Sequence, residues 1–479
     1  MRIALYGAGK YYINRRNEVA TLFADDEVVA LFDNKFYTET KVDGISAMNP
    51  SQIPSVKFDC IVIMSIHVEE IYGLLCKLGV DKGKIYTWKE YRAEKTGGVI
   101  DKYDAMQPGS GEKILIISIP VSYTGGSMTA IYAAMALRSR NYCVCLATEF
   151  IEIELKERLL TDGINLAICP DIPYIGKQFK EWIESFSVVI VNVFPNIHSV
   201  VELGNTRPVV WWLHENDIYG KIYQKTFEMF PRYREKIEIE SVNVVAVSDK
   251  ARNNFKRYYP DIGVRIMPYG LPDDVKITNG TNIKHKKMIF AIIGYVSLLK
   301  GQDIFLEAIK RLDDEERNMS EFWFVGSVEG DFAQGLLREA REISAIEIKG
   351  VVNRLQMKDI LSSLDVVVSA SREDALPIVI TEGMMNSKAC IISDAIGSVK
   401  YIKDMENGII FRSQDVDDLA NKMRWCLNNR DMLEKMGIKA RTTYEKYFSM
   451  ESFADNLEQE IIHAKSKFIE VRNMAMWEV

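Results

Sequence analysis

Two carboxylates, Asp374 and Glu382, bracket the segment DALPIVITE with seven residues between them. Pro377 between them opens a helix, where its missing N–H costs nothing. A helix start presents unpaired N–H groups and the positive end of the macrodipole, which suits a diphosphate. Glu382 falls a little over one turn into that helix, where its carboxylate can accept two hydroxyl hydrogen bonds, as from a ribose diol. Spacing alone leaves room for a plainer reading, in which Asp374 caps the turn and Glu382 faces water.

A second feature precedes it in GYVSLLKGQDIFLEAIKRL, which starts at Gly294. A buried strand ends in a loop whose Lys300-Gly301 leads into an amphipathic helix. A lysine there reaches phosphate oxygens as a point charge while Gly301 keeps the backbone close. Further upstream, Gly125-Gly126 in TGGS joins a strand to a helix and offers backbone N–H groups to an anion, or simply makes a tight turn. In VVWWLHENDIYG, His214 stands at the C-terminal end of a buried strand, where parallel sheets place their ligands; a lone histidine is more often structural.

These residues need strands behind them, and the chain supplies three series. RIALYG, EVVALFD, DCIVIMS and KIYTW alternate with helical stretches over residues 1–95, the helix HVEEIYGLLCKLG ending at Gly79. KTGGVIDKYDAMQPGSGEK has no periodicity and reads as a linker over 96–112. KILIISIP, NYCVCLAT, FSVVIVNVF, PVVWWLH and NVVAVS make a second series over 113–280. A weak stretch, DDVKITNGTNIKHKKM, then separates it from a third, over 281–479, with MIFAIIGY, EFWFVGS, IEIKGV, DVVVSAS and KACIISD. The final helices are expected to cross back onto the second unit. The fold class is α/β, with three Rossmann-like units in a row.

From about residue 113 to 460 the chain resembles a GT-B glycosyltransferase of family 4, a large retaining family that uses nucleotide sugars. The family's E-x7-E segment is matched by DALPIVITE, with Asp374 in place of the first Glu. The resemblance implies that Glu382 holds the donor's ribose and Asp374 faces the hydroxyls of the transferred sugar. It implies that the backbone of Ala375 and Leu376 lines sugar and diphosphate, and that Gly350 to Val352 sit by the base. Gly125 and Gly126 would close over the phosphates, and His214 would contact the donor sugar, with Glu215, Asn216 and Asp217 near the acceptor. The family's G-R-x-x-x-x-K-G appears here as Gly294-Tyr295 … Lys300-Gly301, so Lys300 carries over and the arginine does not. Charge bookkeeping puts Arg372 forward as the replacement cation. The implied reaction retains anomeric configuration, a leaving phosphate oxygen takes the acceptor proton, and no resident cofactor or metal is required.

Composition sets limits on the partners. Sixty Lys+Arg against 67 Asp+Glu leave a charge of −7, which excludes a general nucleic-acid binder. No apolar run approaches the ~18–20 residues of a membrane span. Seven scattered cysteines suit free thiols in a reducing cytosol, with Cys143 and Cys145 expected in a core. The expected partners are a nucleotide sugar and a glycan or lipid-linked acceptor; the sequence sets no oligomeric state. The expected location is cytoplasmic, with peripheral contact at the inner face of the membrane as in relatives with lipid-linked acceptors. Arg232-Tyr233-Arg234 and Lys284-His285-Lys286-Lys287 are compatible with such contact, or with a solvated face.

The first unit carries Gly7-Ala8-Gly9 … Tyr12, two of the three positions of a dinucleotide fingerprint, and Asp33 where a ribose-binding acid would stand. It resembles small Rossmann-like domains on polysaccharide-biosynthesis enzymes. Two rival functions follow: a sugar-nucleotide epimerase or dehydrogenase run by this unit, and a nucleotide-sugar sensor in which Asp374 and Tyr295 have abolished transfer.

Overall fold

Runs such as ILII, VVIVN and VVWWL hide both faces, so they fit only sheets covered by helices on either side. The computed structural model describes residues 1–96, 100–122, 125–217, 220–273, 275 and 286–477, and in it these runs build three successive sheets. The first contains β1 (Arg2–Tyr6), β2 (Glu27–Phe32), β3 (Thr40–Val42), β4 (Ile45–Met48), β5 (Cys60–Ile63) and β6 (Ile85–Thr87), in the order β3-β4-β2-β1-β5-β6. It is parallel except for the β3–β4 hairpin. That hairpin turns on Asp43-Gly44, both at positive φ, a signal that the strand-by-strand sequence reading passed over.

The second sheet contains β7 (Asp101–Tyr103), β8 (Lys113–Ile117), β9 (Cys143–Thr148), β10 (Asn165–Ile168), β11 (Val188–Asn192), β12 (Val209–Leu213), β13 (Asn243–Ala246) and β14 (Arg265–Ile266). Its order is β14-β13-β12-β11-β8-β9-β10-β7, parallel save for β7. The expected linker over 96–112 therefore contributes an edge strand, whose charged Asp101 and Lys102 suit a solvent-facing edge. Gly109 and Gly111 then lie against the backbone of Tyr142 and Asn141, an approach that a Cβ would block at 2.0 and 2.6 Å. Residues 97–99 of that stretch, and residues 274 and 276–285 of the second weak stretch, Lys284 and His285 included, lie outside the described residues.

The third sheet contains β15 (Met288–Ile293), β16 (Ser320–Val325), β17 (Ile346–Gly350), β18 (Val366–Ser369), β19 (Ala389–Ser393) and β20 (Ile409–Phe411), all parallel in the order β17-β16-β15-β18-β19-β20. Helices Val416–Asn428 and Arg430–Tyr447 stay with this sheet, while helix Met450–Trp477 returns to the second. There Asn243 Nδ2 donates to Glu460 O at 3.0 Å and Lys467 Nζ donates to Val242 O at 2.7 Å. The two passages of chain between the second and third units run side by side. Leu271 N–H donates to Phe448 O at 2.9 Å, and Gly270 sits where a Cβ would come within 2.5 Å of Phe453.

The first unit docks on the second through ion pairs: Arg232 with Glu90 and Arg234 with Glu69, both at 2.5 Å, and Arg92 with Asp171. Arg232 and Arg234 thus serve an internal joint, which corrects their reading as a membrane-facing or solvated cluster. No helix among the described residues is long and apolar enough to cross a membrane. Cys145 packs in the core of the second unit.

Candidate functional site

The C-terminal ends of β8 and β12 face those of β15, β17 and β18 across a cleft of about 1060 Å³. Strand ends collect there because every strand bearing a site loop is parallel, so all the loops emerge on one edge. Twelve of the expected residues line it: Gly125, Gly126, His214, Asn216, Gly294, Lys300, Val351, Val352, Asp374, Ala375, Leu376 and Glu382.

After β8, helix Gly125–Ser139 begins on the glycine pair. Cβ atoms at Gly125 and Gly126 would meet their nearest neighbours at 3.9 and 3.5 Å, ordinary contact, so internal packing does not demand glycine there. Both glycines line the cleft at the start of this helix, the end where the macrodipole is positive. Asn192 Nδ2 fixes the loop by donating to Gly126 O at 3.0 Å.

After β12, backbone alternation separates four consecutive residues. His214 and Asn216 line the cleft, whereas Glu215 and Asp217 turn into the second unit. The His214 ring packs edge-on against Trp212, with 4.3 Å between centroids, and its Nε2 is buried without a protein partner. Burial holds its pKa down at about 3, so the imidazole is neutral. The Glu215 carboxylate accepts from Phe194 N–H at 2.6 Å and His214 N–H at 2.9 Å, and burial pushes its pKa up to about 7. Asp217 accepts from the Tyr258 hydroxyl at 3.2 Å. Of the three expected acceptor residues, then, only Asn216 lines the cleft.

After β15, Ser297 opens a tight turn that carries Lys300 to the cleft. Gly301 closes the turn at φ +72°, with Ala370 O where a Cβ would stand at 2.0 Å, so the lysine loop is seated directly on the end of β18. Lys300 Nζ lies 2.5 Å from Asp374 Oδ2. After β18, the Asp374–Pro377 loop is held from both sides. Gly397 N–H donates to Asp374 O at 2.9 Å, and the Tyr269 hydroxyl donates to Leu376 O at 3.1 Å. Helix Ile378–Met385 follows, with Glu382 in its second turn facing the cleft.

Two expected donor contacts are not in the cleft. Arg372 makes a fork on the Asp303 carboxylate at 2.9 and 2.7 Å and also reaches Leu298 O. It clamps the lysine loop to the Asp374 loop, and the acid at the start of helix Gln302–Lys310 is what turns it away from the site. Gly350 takes φ +66° to end β17 and leaves the lining to Val351 and Val352. Besides Lys300, two further cations line the cleft, Arg354 and Lys358, which the sequence reading missed. A capping box, Asn353 with Gln356, starts their helix and was readable as N-R-L-Q. Arg354 and Glu382 both lie near Tyr132 of the opposite half, whose hydroxyl pKa burial raises.

The glycine loop of the first unit is satisfied from within. Asp33 accepts from Ala8 N–H at 2.7 Å, and Lys35 Nζ donates to Ala8 O at 2.7 Å. Tyr12, where the fingerprint wants a small residue, is buried with its hydroxyl on Asp43 at 3.0 Å. The acid expected to hold a ribose is committed to its own loop.

Residues 273–443 match the family model "Glycosyl transferases group 1", and residues 1–86 match "C2185-like, N-terminal". Poly(ribitol-phosphate) alpha-N-acetylglucosaminyltransferase of Staphylococcus aureus (strain COL) is 23% identical over 304 residues, 61% of this chain and 57% of that protein. Alpha-D-kanosaminyltransferase of Streptomyces kanamyceticus is 22% identical over 270 residues, 52% of this chain and 69% of that protein. The chain thus spans little more than half of the first relative's length. Among solved structures, Anabaena Alr3699/HepE in complex with UDP and glucose aligns at TM-score 0.62 and 14% identity, covering 74% of this chain and all of that one. A glycosyltransferase from Rickettsia africae ESF-5 aligns at TM-score 0.62 and 18% identity, covering 74% and 99%. The fold is GT-B, two facing Rossmann-like halves, preceded by a small α/β unit of its own.

Proposed function

We propose that the chain is a retaining glycosyltransferase of family 4, moving a sugar from a nucleotide-sugar donor to a glycan or lipid-linked acceptor in surface polysaccharide biosynthesis. One observation carries this reading: Lys300, Asp374 and Glu382 from one half meet His214 and the Gly125-Gly126 helix start from the other, around a single cleft. The match of residues 273–443 to glycosyl transferases group 1 supports it, as do relatives named for transfer of N-acetylglucosamine and kanosamine. That solved neighbours hold UDP and UDP-glucose supports a nucleotide-sugar donor.

In this reading Glu382 accepts hydrogen bonds from the ribose, and Val351 and Val352 flank the base. Lys300 and the two helix starts take the growing charge of the leaving diphosphate. Asp374 and the neutral His214 orient the sugar hydroxyls, and Asn216 meets the acceptor. The acceptor oxygen forms the new glycosidic bond on the face the diphosphate leaves, and a leaving phosphate oxygen takes its proton. The reaction so drawn uses no resident cofactor. We place the protein in the cytoplasm, at the inner face of the membrane when the acceptor is lipid-linked.

The test is a panel of UDP-, GDP-, dTDP-, CMP- and ADP-sugars scored for thermal stabilisation of wild type and Glu382→Ala, followed by NMR of the anomeric product. One donor class stabilising wild type alone, with retained configuration, is the expected result. Binding without transfer or donor hydrolysis would leave a sensor. Stabilisation that survives Glu382→Ala would move the nucleotide out of this cleft.

A further inference from the structure

Glu373 stands one residue before Asp374, yet it is 1% exposed and its contacts lie in the opposite half. Its Oε1 accepts from Asp217 N–H at 3.2 Å and from Asn254 Nδ2 at 2.8 Å. The same Asn254 Nδ2 donates to Glu215 O at 3.2 Å, and the Glu215 carboxylate holds the His214 N–H at 2.9 Å. A continuous hydrogen-bonded path therefore joins His214, which faces the cleft from the second unit, to the residue beside Asp374, which faces it from the third. A second contact runs alongside: Gly397, on the Asp374 carbonyl, stands where a Cβ would lie 2.7 Å from Ser248 Oγ of the second unit.

A joint meant only for adhesion is better made of apolar side chains, because burying a carboxylate costs more than it returns unless its geometry is used. What directional hydrogen bonds supply is a fixed distance and angle. We propose that Glu373 is a positioning residue that sets the spacing across the cleft between His214 and Asp374, the two groups that face the donor sugar. The inference rests on the glycosyltransferase reading for its effect on turnover, though not for the contact itself. Glu373 touches no substrate. It acts on the sugar subsite and leaves the nucleotide subsite, built from Lys300, Glu382 and Val352, intact.

The test compares wild type with Glu373→Ala, Glu373→Gln, Asn254→Ala and the Glu373→Ala/Asn254→Ala pair. UDP is the binding probe, and turnover is measured with the donor that stabilises wild type. A misplacement of about 1 Å costs roughly 100-fold in rate, so Glu373→Ala should lose ten- to 100-fold in kcat while its UDP affinity stays within about threefold. Glu373→Gln keeps an acceptor oxygen for both donors and should recover most of the rate. The double variant should fall little below Glu373→Ala. Hydrogen exchange at the Asp217 amide should speed up in Glu373→Ala and slow again in Glu373→Gln. Wild-type kcat in Glu373→Ala, a Gln variant as slow as the Ala variant, or parallel loss of UDP binding and melting temperature would each overturn the proposal. A wild type that binds UDP and turns over no donor sinks the transferase reading instead, and the Asp217 amide then decides the contact alone: unchanged exchange overturns it.

Discussion

Lys300 Nζ and Asp374 Oδ2 lie 2.5 Å apart, so the cation proposed for a diphosphate and the acid proposed for a sugar are joined to each other across the cleft wall. Burial by itself would push the lysine pKa down, but the Asp374 carboxylate more than offsets it and the net shift is upward. The pair lets two desolvated charges offset each other. Asp374 is one methylene shorter than the glutamate of the resembled family, and the lysine loop, seated on Ala370 through Gly301, comes close enough to meet it.

Lys300→Met should therefore cost stability as well as binding. It strands the Asp374 carboxylate, and we expect a loss on the order of 2–3 kcal/mol, below that of a fully buried pair because the lysine is partly exposed. Lys300→Met/Asp374→Asn should recover most of it. Thermal melts of the three proteins check this, and UDP titration should show at least a tenfold affinity loss in both variants.

The glycines of the cleft should divide into two kinds. Gly125→Ala and Gly126→Ala meet only ordinary contacts, so melting should stay within about 0.5 kcal/mol of wild type while UDP affinity falls about tenfold. Gly301→Ala, at φ +72° with a backbone oxygen 2.0 Å from the new Cβ, should instead destabilise by more than about 2 kcal/mol. Calorimetric melts and UDP titration on the same samples separate the two effects.

His214 and Glu215 pull stability in opposite pH directions. Glu215 titrates near 7 in the fold against 4.5 outside it, so its contribution is present below pH 4.5 and is lost as pH rises through 7. His214 titrates near 3 against 6.5, so its contribution is present above pH 6.5 and is lost as pH falls through 3. At about 1.4 kcal/mol per pH unit the spans correspond to roughly 3 kcal/mol for Glu215 and roughly 5 kcal/mol for His214. The stability difference between wild type and Glu215→Ala should shrink from pH 5 to pH 8, and that between wild type and His214→Ala should shrink from pH 7 to pH 4. Denaturant titrations across that range are the check. Transfer should also show no ionisation of His214 between pH 5 and 9.

The strand-end loops were legible because each couples an apolar run to a residue of unusual chemistry: Gly125 after ILII, His214 after VVWWL, Lys300 after MIFAII, Asp374 after VVVS. What adjacency in sequence did not convey was direction. His214, Glu215, Asn216 and Asp217 were grouped together, although extended backbone sends alternate side chains to opposite faces, and a period of two already separates the cleft pair from the buried pair. Arg372 was misplaced for another reason: its partner Asp303 is 69 positions away, and only the fold brings them together. Arg354 was within reach, since the capping box that starts its helix is written in four consecutive residues.

The seam at Leu271 and Phe448 bears on how the two halves are held together. Two separate tethers between the halves would let them slide, twist and part. Here both crossings are stitched at one place, where the Tyr444 hydroxyl also donates to Leu271 O at 2.8 Å. The seam thus ties both passages of chain to each other, so that neither can shift along the junction without the other. Gly270, pressed against Phe453, leaves the seam no slack, so a bulkier residue there would act as a wedge between the two passages.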